Sequence, residues 1–325
     1  MSGRSAAGSS LLRTGYGLVL VLCATLWSSV ALAYGEQAPI EIDLLSPRPG
    51  DAKLLSLDLA RVSEHRAWVP QAFLQYSDRP LALICKGSCP PRQYVSLVAH
   101  RTTANLSVAL SLAERVQLAV SLPVTLYQKT DAVRMEPGTQ ESSGLSLPIP
   151  RAAGIGNARI HTKVAFLPPR SRLGLGADIE LALPTGDGNS FLGTRLPVLD
   201  ARLLAHIEHG GLTMAAHVGG HFGENNQVLD LPTGMALTYG LGMQVKLFGD
   251  GVTAAPFYLL AEAYGMAFTR FQPRTDFPTE FLIAAKSEPG RWSLLVGAGS
   301  TIVPGVGTPN IRCIAGLGYN PRRGR

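Results

Sequence analysis

Residues 234–247 alternate without a break. Met235, Leu237, Tyr239, Leu241, Met243, Val245 and Leu247 fall on one face, and Gly234, Ala236, Thr238, Gly240, Gly242, Gln244 and Lys246 on the other. A period of two sustained this long is a β-strand, and its faces call for different surroundings, one apolar and one small or wet. A half-buried strand of a soluble sandwich can be written the same way. The number of such segments and the way they are joined separate the two readings.

Twelve strand candidates follow one another from residue 67, at 67–76, 99–112, 115–128, 157–167, 171–183, 197–208, 211–222, 233–248, 252–266, 280–287, 291–300 and 309–319. Their connections sort into two classes. Tight turns are Ala113-Glu114, Pro168-Pro169-Arg170, His209-Gly210, Gly249-Asp250-Gly251 and Glu288-Pro289-Gly290. The stretches 77–98, 129–156, 184–196, 223–232, 267–279 and 301–308 are longer and rich in Gly, Pro, Ser, Asn and Asp. Short and long connections alternate, as they do in a bacterial barrel whose turns face the periplasm and whose loops face outward. A soluble sandwich has no reason to sort its connections this way. The expected fold is all-β, a transmembrane antiparallel up-and-down β-barrel of about twelve strands, in the bacterial outer membrane.

Facing can be assigned by parity. Val116, Leu118, Val120, Leu122, Val124 and Leu126 are expected to face lipid, as are Leu173, Leu175, Ala177, Ile179, Leu181 and Leu183. The opposite faces carry Arg159, His161 and Lys163, then Arg172, Asp178 and Glu180, then Asp200, Arg202, His206 and Glu208, with His217, Glu262 and Arg312 on later strands. A charge facing lipid near the midplane costs ~2–4 kcal/mol, so these residues are expected to line the lumen, where both signs on neighbouring strands favour cross-strand ion pairs. Proline removes a ladder hydrogen bond. Pro184 and Pro197 sit harmlessly at strand ends, whereas Pro123 and Pro256 imply a bulge or a locally open ladder.

The first 33 residues read as an export signal: Arg4 and Arg13 make a basic start, Tyr16 to Trp27 is mostly apolar, and Ala31-Leu32-Ala33 is an A-x-A cleavage site. The apolar run is short for a spanning helix, which needs ~20 residues. Cys23 could mark a lipoprotein site, but Leu22 before it is too large for that signal. Cleavage would take the formal net charge from +6 to +4, spread along the chain, and no basic block suggests nucleic acid. Charged residues are 16%, well under the usual share of a soluble domain, which again disfavours that class. Residues 34–66 are expected to be a periplasmic lead-in or a plug tucked into the lumen, 67–319 the barrel, and 320–325 a basic tail. In an oxidising compartment Cys85 and Cys89 suit a small loop disulfide. Half of a metal site is the alternative, but no second Cys/His pair stands at ligand spacing. Cys313 reads as a small apolar residue of the last strand.

Several segments resemble a known family in their order and spacing. They are Arg61-Val62, Tyr76-Ser77-Asp78-Arg79-Pro80-Leu81, Arg101-Thr102-Thr103-Ala104-Asn105-Leu106, Leu122-Pro123-Val124, Gly154-Ile155-Gly156-Asn157-Ala158-Arg159, Leu183-Pro184-Thr185-Gly186-Asp187-Gly188, Phe191-Leu192-Gly193 and Ile311 to Tyr319. Over about residues 40–320 the chain resembles the N-terminal barrel of myxobacterial OmpA-family outer-membrane proteins. The resemblance implies a structural barrel or pore. Many such proteins continue into an OmpA-like peptidoglycan-binding domain, and none follows Asn320 here. Anchoring is then expected of a partner, an envelope or peptidoglycan-associated protein. The other expected partners are outer-membrane lipids and the barrel-assembly machinery, whose C-terminal signal the alternation Ile311, Cys313, Ala315, Leu317, Tyr319 resembles.

Catalytic or metal chemistry is the alternative to lumen lining for the inward histidines and the loop acids. His217 and His221 share a face, but four positions along a strand put them ~13 Å apart, too far for one ion. Asp187 and Asp230, with His221, are rim candidates for protease-type chemistry, yet Asp and His are common in loops. Thr185-Gly186-Asp187-Gly188 reads as turn chemistry rather than a calcium loop, whose remaining ligands are missing. The expectation is therefore no enzyme, no cofactor and no metal, but a structural barrel or narrow pore for small solutes. The alternatives are a laterally opening transporter of small hydrophobic compounds, or an adhesion protein acting through loops 77–98 and 129–156.

Overall fold

The structure is a computed structural model that describes residues 41–51, 53–62, 67–84, 94–129, 151–168, 171–224, 226–228, 231–249, 254–268 and 277–322. The cleavage residues Ala31 and Ala33, the cysteines Cys85 and Cys89, and Asp230 lie outside them. Among the described residues are twelve long strands: β1 (Trp68–Ile84), β2 (Tyr94–Ala113), β3 (Val116–Lys129), β4 (Ala158–Ala165), β5 (Leu173–Leu183), β6 (Val198–His209), β7 (Leu212–Phe222), β8 (Ala236–Phe248), β9 (Phe257–Phe268), β10 (Thr279–Ser287), β11 (Trp292–Val303) and β12 (Ile311–Tyr319). Each pairs antiparallel with its sequence neighbours, and β1 pairs with β12 from Gln71↔Gly318 to Asp78↔Ile311. That last ladder closes the sheet, so the barrel has no free edge to satisfy in lipid.

Alternation decides which way each side chain points. On β3, Leu118, Val120 and Leu126 are exposed while Gln117, Ala119, Ser121 and Thr125 between them are buried. On β5, Leu173, Leu175 and Ile179 are exposed, and Asp178 and Glu180 buried. Outward apolar side chains include Leu203 (61% exposed), Leu241 (59%) and Val296 (61%). A continuous belt of such residues is costly in water, at ~25 cal/mol per Å², and is matched by lipid. Aromatic rings cluster at its short-turn edge, where Trp292 and Trp68 pack on Tyr319 (4.9 and 6.1 Å) and Phe248 stacks on Phe257 (5.0 Å). Interfacial girdles of a membrane barrel look like this.

Several boundaries differ from the sequence reading. The expected loop 77–98 is mostly strand. Its polar residues suggested a loop, but Ser77 points inward onto Arg312 and Ser96 is buried as well. Arg79 adopts φ 50° at a bulge, where the β1–β2 ladder shifts register. The β8–β9 connection spans 249–256, longer than the β11–β12 loop at 304–310, so the loop-length alternation fails at this pair. Pro256 precedes β9 rather than interrupting it. Pro123 does lie within β3, and the β3–β4 ladder breaks there. It stops at Ser121↔Arg159 and resumes one register off at Val124↔Ile155, with Gly156 N–H donating to the Pro123 carbonyl (2.8 Å). The 223–232 loop carries a small hairpin, Asn226–Val228 with Leu231–Thr233. Loop 184–196 contains a 3₁₀ turn at Gly188–Ser190 capped by Asp187, which accepts from Asn189 N–H and Ser190 Oγ.

If the outward belt faces lipid, Leu203→Arg at the middle of β6 should lower the unfolding free energy in bilayers by about 2–4 kcal/mol. Denaturant titration of the barrel refolded in lipid vesicles measures this, and an unchanged midpoint would contradict the assignment of that face.

Candidate functional site

A twelve-stranded barrel encloses more space than its own wall residues fill. Here residues 41–62 occupy it. The segment descends from the long-loop end, where Glu41 meets Asn157 and Arg159, to the short-turn end, where Asp51 accepts from Asn320 Nδ2 (3.1 Å). It then rises to mid-barrel, where Leu55 and Ser56 meet Glu262, and returns to the short-turn end at Arg61 before entering β1. Pro47-Arg48-Pro49-Gly50 makes the bend, with Gly50 at φ 105°, a conformation that glycine adopts without strain. Arg48 ties the two limbs together, its backbone N–H donating to the Leu55 carbonyl (2.9 Å) and Nε to the Ser56 carbonyl (3.3 Å).

Two kinds of wall receive the segment. Strands β9–β12 and β1 turn apolar side chains inward. Leu260, Tyr264, Leu282, Leu295, Ile314 and Phe73 pack with Leu45, Leu54, Leu55, Leu57 and Leu59 of the segment into one buried cluster. Strands β4–β6 turn charges inward. Arg48 Nη1 donates to Glu180 Oε2 (2.6 Å) and lies 3.5 Å from Asp178 Oδ2. Arg159 pairs with Glu180 (3.1 Å) and with Glu41. Arg202 bridges Asp178 (3.3 Å), Glu180 (3.1 Å) and Asp200 (3.2 Å), and Asp200 holds His221 (3.1 Å). Lys163 pairs with Asp58 (2.7 Å), and Lys53 with Glu208 (2.9 Å). Glu262 accepts from Leu55 N–H (2.6 Å), Ser56 N–H (2.7 Å) and Ser56 Oγ. Each charged residue of 41–62 thus has a partner on the wall or its rim.

The long-loop mouth is covered as well. Ile42, Leu81, Leu97, Val98 and Phe191 form a second apolar cluster. Arg101 braces it, donating to Gln128 (2.7 Å), Asp43 (3.2 Å) and the Phe191 carbonyl (2.9 Å). Arg312 sits beside this brace, fully buried, with Glu280 (2.6 Å) and Ser77 (3.0 Å). Cavities remain at both ends of the barrel. One of about 130 Å³ lies toward the long-loop end against Glu41, Arg48, Glu180, Asp200 and Glu224. The other, of about 120 Å³, lies at the short-turn end against Asp51, Lys53, Asp58, Arg61 and Glu288.

Of the expected lumen-lining residues, Arg159, His161, Lys163, Asp178, Glu180, Asp200, Arg202, His206, Glu262 and Arg312 are buried inside the barrel, and His217 is half-buried there. Arg172 is a correction. It precedes β5 and is exposed, because its parity points inward only where the wall has already ended. The sequence reading did not select Glu41, Asp43, Arg48, Asp58, Arg101, Gln128, Glu280 or Phe191. Parity alone would have found Arg101 and Glu280. Gln128 lies on β3 beyond a register shift that reverses its parity, and the others lie on a segment or loop with no period. Cys313 is exposed on the outward face of β12.

No protein-family model matches the sequence, and no curated protein matches it. Among solved structures, an outer membrane channel from Pseudomonas putida F1 superposes with a TM-score of 0.56 at 14% identity, over 85% of this chain and 100% of that one. The CymD monoaromatic hydrocarbon channel gives 0.37 at 12% identity, over 79% and 88%. LpxR from Salmonella typhimurium gives 0.37 at 11% identity, over 77% and 99%. At such identities the first likeness speaks for the fold. The chain is a closed twelve-stranded transmembrane β-barrel of the outer-membrane kind.

Glu262→Ala removes three acceptor contacts to residues 55 and 56 and leaves their donors buried, at about 1–3 kcal/mol for each unmet group. Limited proteolysis of the folded barrel should then cut within 41–62 at a protease concentration that spares the wild type.

Proposed function

We propose that the protein is a narrow outer-membrane pore for small solutes, held closed by its own residues 41–62. One observation carries this reading: the charges of that segment are matched by opposite charges or hydrogen-bonding groups of the wall. A segment merely passing through would not be matched residue by residue. Paired buried charges strongly resist removal of one partner, so the segment is a specific occupant of the lumen. The cavities above and below it are the two ends of the interrupted path, and with the segment in place the protein is also a compact structural barrel. Orientation follows the connections, with the longer loops outside the cell. The resemblance to the barrel of myxobacterial OmpA-family proteins supports an envelope role, with an anchoring partner in the cell wall as part of the same proposal.

A second reading, lateral transfer of small hydrophobic compounds, is favoured by the ladder break at Pro123. Replacing Pro123 by Ala restores a backbone donor at the break. On that reading it lowers uptake of a hydrophobic solute into vesicles while leaving ion conductance unchanged, and equal uptake by both proteins would count against a lateral route. Adhesion through loop 77–98 has less support, since most of that stretch is strand. Protease-type chemistry also has less: Asp187 caps a turn and His221 pairs with Asp200.

The pore reading is tested by single-channel recording in planar bilayers. A chain beginning at Tyr34 should show rare, small openings, and a chain beginning at Ala67 should conduct steadily. Equal conductance of the two folded proteins would reject closure by the segment.

A further inference from the structure

Asp178, Glu180 and His161 meet on the charged wall, each fully or almost fully buried, with their ligand atoms all within 4.8 Å of one another. The guanidinium of Arg48 is seated there, reaching Glu180 Oε2 (2.6 Å) and Asp178 Oδ2 (3.5 Å). His161 Nε2 hydrogen-bonds Ser121 Oγ (2.9 Å). Its Nδ1 is buried with no hydrogen-bond partner and lies 3.8 Å from the Glu180 oxygen that Arg48 holds. In the tautomer that donates Nε2–H to Ser121, Nδ1 is an unused acceptor facing the seat.

The seat borders, through Glu180 and Arg48, the cavity at the long-loop end, which is lined by five carboxylates and three arginines. A cation entering from that side moves toward lower potential and arrives beside Arg48. The donors at first suggest a metal ion. Arg159 and Arg202, however, already lie within 3.3 Å of these carboxylates. A divalent ion would face two fixed positive charges and carboxylates whose lone pairs are already engaged. A planar monocation with several N–H donors needs only the acceptors that Arg48 uses now, two carboxylate oxygens and the Ser56 carbonyl, with His161 Nδ1 to spare.

We propose that Asp178, Glu180 and His161 form a recognition site for guanidinium or amidinium groups, occupied in the closed state by Arg48 and open to competition from solutes bearing such a group. The inference rests on the reading of residues 41–62 as the closing element, and it names the chemistry to which that closure responds. Removal of the Arg48 side chain leaves a guanidinium-sized space between acidic groups, which free guanidinium refills.

The experiment uses the mature chain carrying Arg48→Ala, its folding checked by heat-modifiable migration, with Arg48→Gln as a second variant. Thermal unfolding in detergent reads binding, and planar-bilayer recording reads closure. The probe is guanidinium chloride at millimolar concentration, the affinity range that one charged group supports, against equal sodium chloride and tetramethylammonium chloride. The expected result is a higher unfolding temperature with guanidinium alone, several-fold fewer openings, and loss of both effects when Glu180→Gln is added. Equal effects of all three salts would mean charge screening and overturn the proposal. A shift with zinc or calcium but not guanidinium would overturn it in favour of a metal site. A guanidinium-specific shift in unfolding temperature without any change in conductance would uphold the site while rejecting closure by the segment. Variants that conduct freely and ignore guanidinium would do the reverse.

Discussion

A charge inside a membrane barrel can be neither left to lipid nor left unpaired, and most of this architecture follows from that constraint. The period of two sends every second residue of twelve strands inward, and on β4–β6 many of those residues are ionised. The wall resolves part of the problem through Arg159, Asp178, Glu180, Asp200 and Arg202, whose ladder positions put opposite signs side by side. It leaves Lys163, Glu208 and one face of Glu180 to be met by something else. Asp58, Lys53 and Arg48 meet them.

The lumen is accordingly built in two halves. Burial of leucines against β9–β12 supplies non-directional adhesion of roughly 1.5–3 kcal/mol per fully buried side chain. Charge pairing against β4–β6 adds little net stability once desolvation is counted, but it penalises any register except one. The apolar half holds residues 41–62 in the barrel, and the charged half sets where along the axis each residue stands. Loss of one ionic partner at the charged wall would leave the apolar contacts in place.

Much of the wall was legible from the sequence. Leu173, Leu175 and Ile179 face out and Asp178 and Glu180 face in because parity along a strand leaves no other choice. The rest was hidden for identifiable reasons. Ser77 and Ser96 looked like loop residues because a polar strand segment and a loop have the same composition. Arg172 had inward parity at a height where there is no longer a lumen. The cover formed by Ile42, Leu97, Val98 and Phe191 brings together a non-periodic segment, a hairpin and a loop, and no local pattern relates them.

Alternation and the approximate spacing of turns were enough to determine a closed, antiparallel, lipid-facing barrel, because a strand has two faces and an open edge is intolerable in a membrane. What fills that barrel was decided by tertiary structure alone. Residues 41–62 carry no period, and the groups they match, from Asn157 to Asn320, lie scattered over the length of the chain. They become neighbours only when β1 closes on β12 and all the inward faces converge on one enclosed volume.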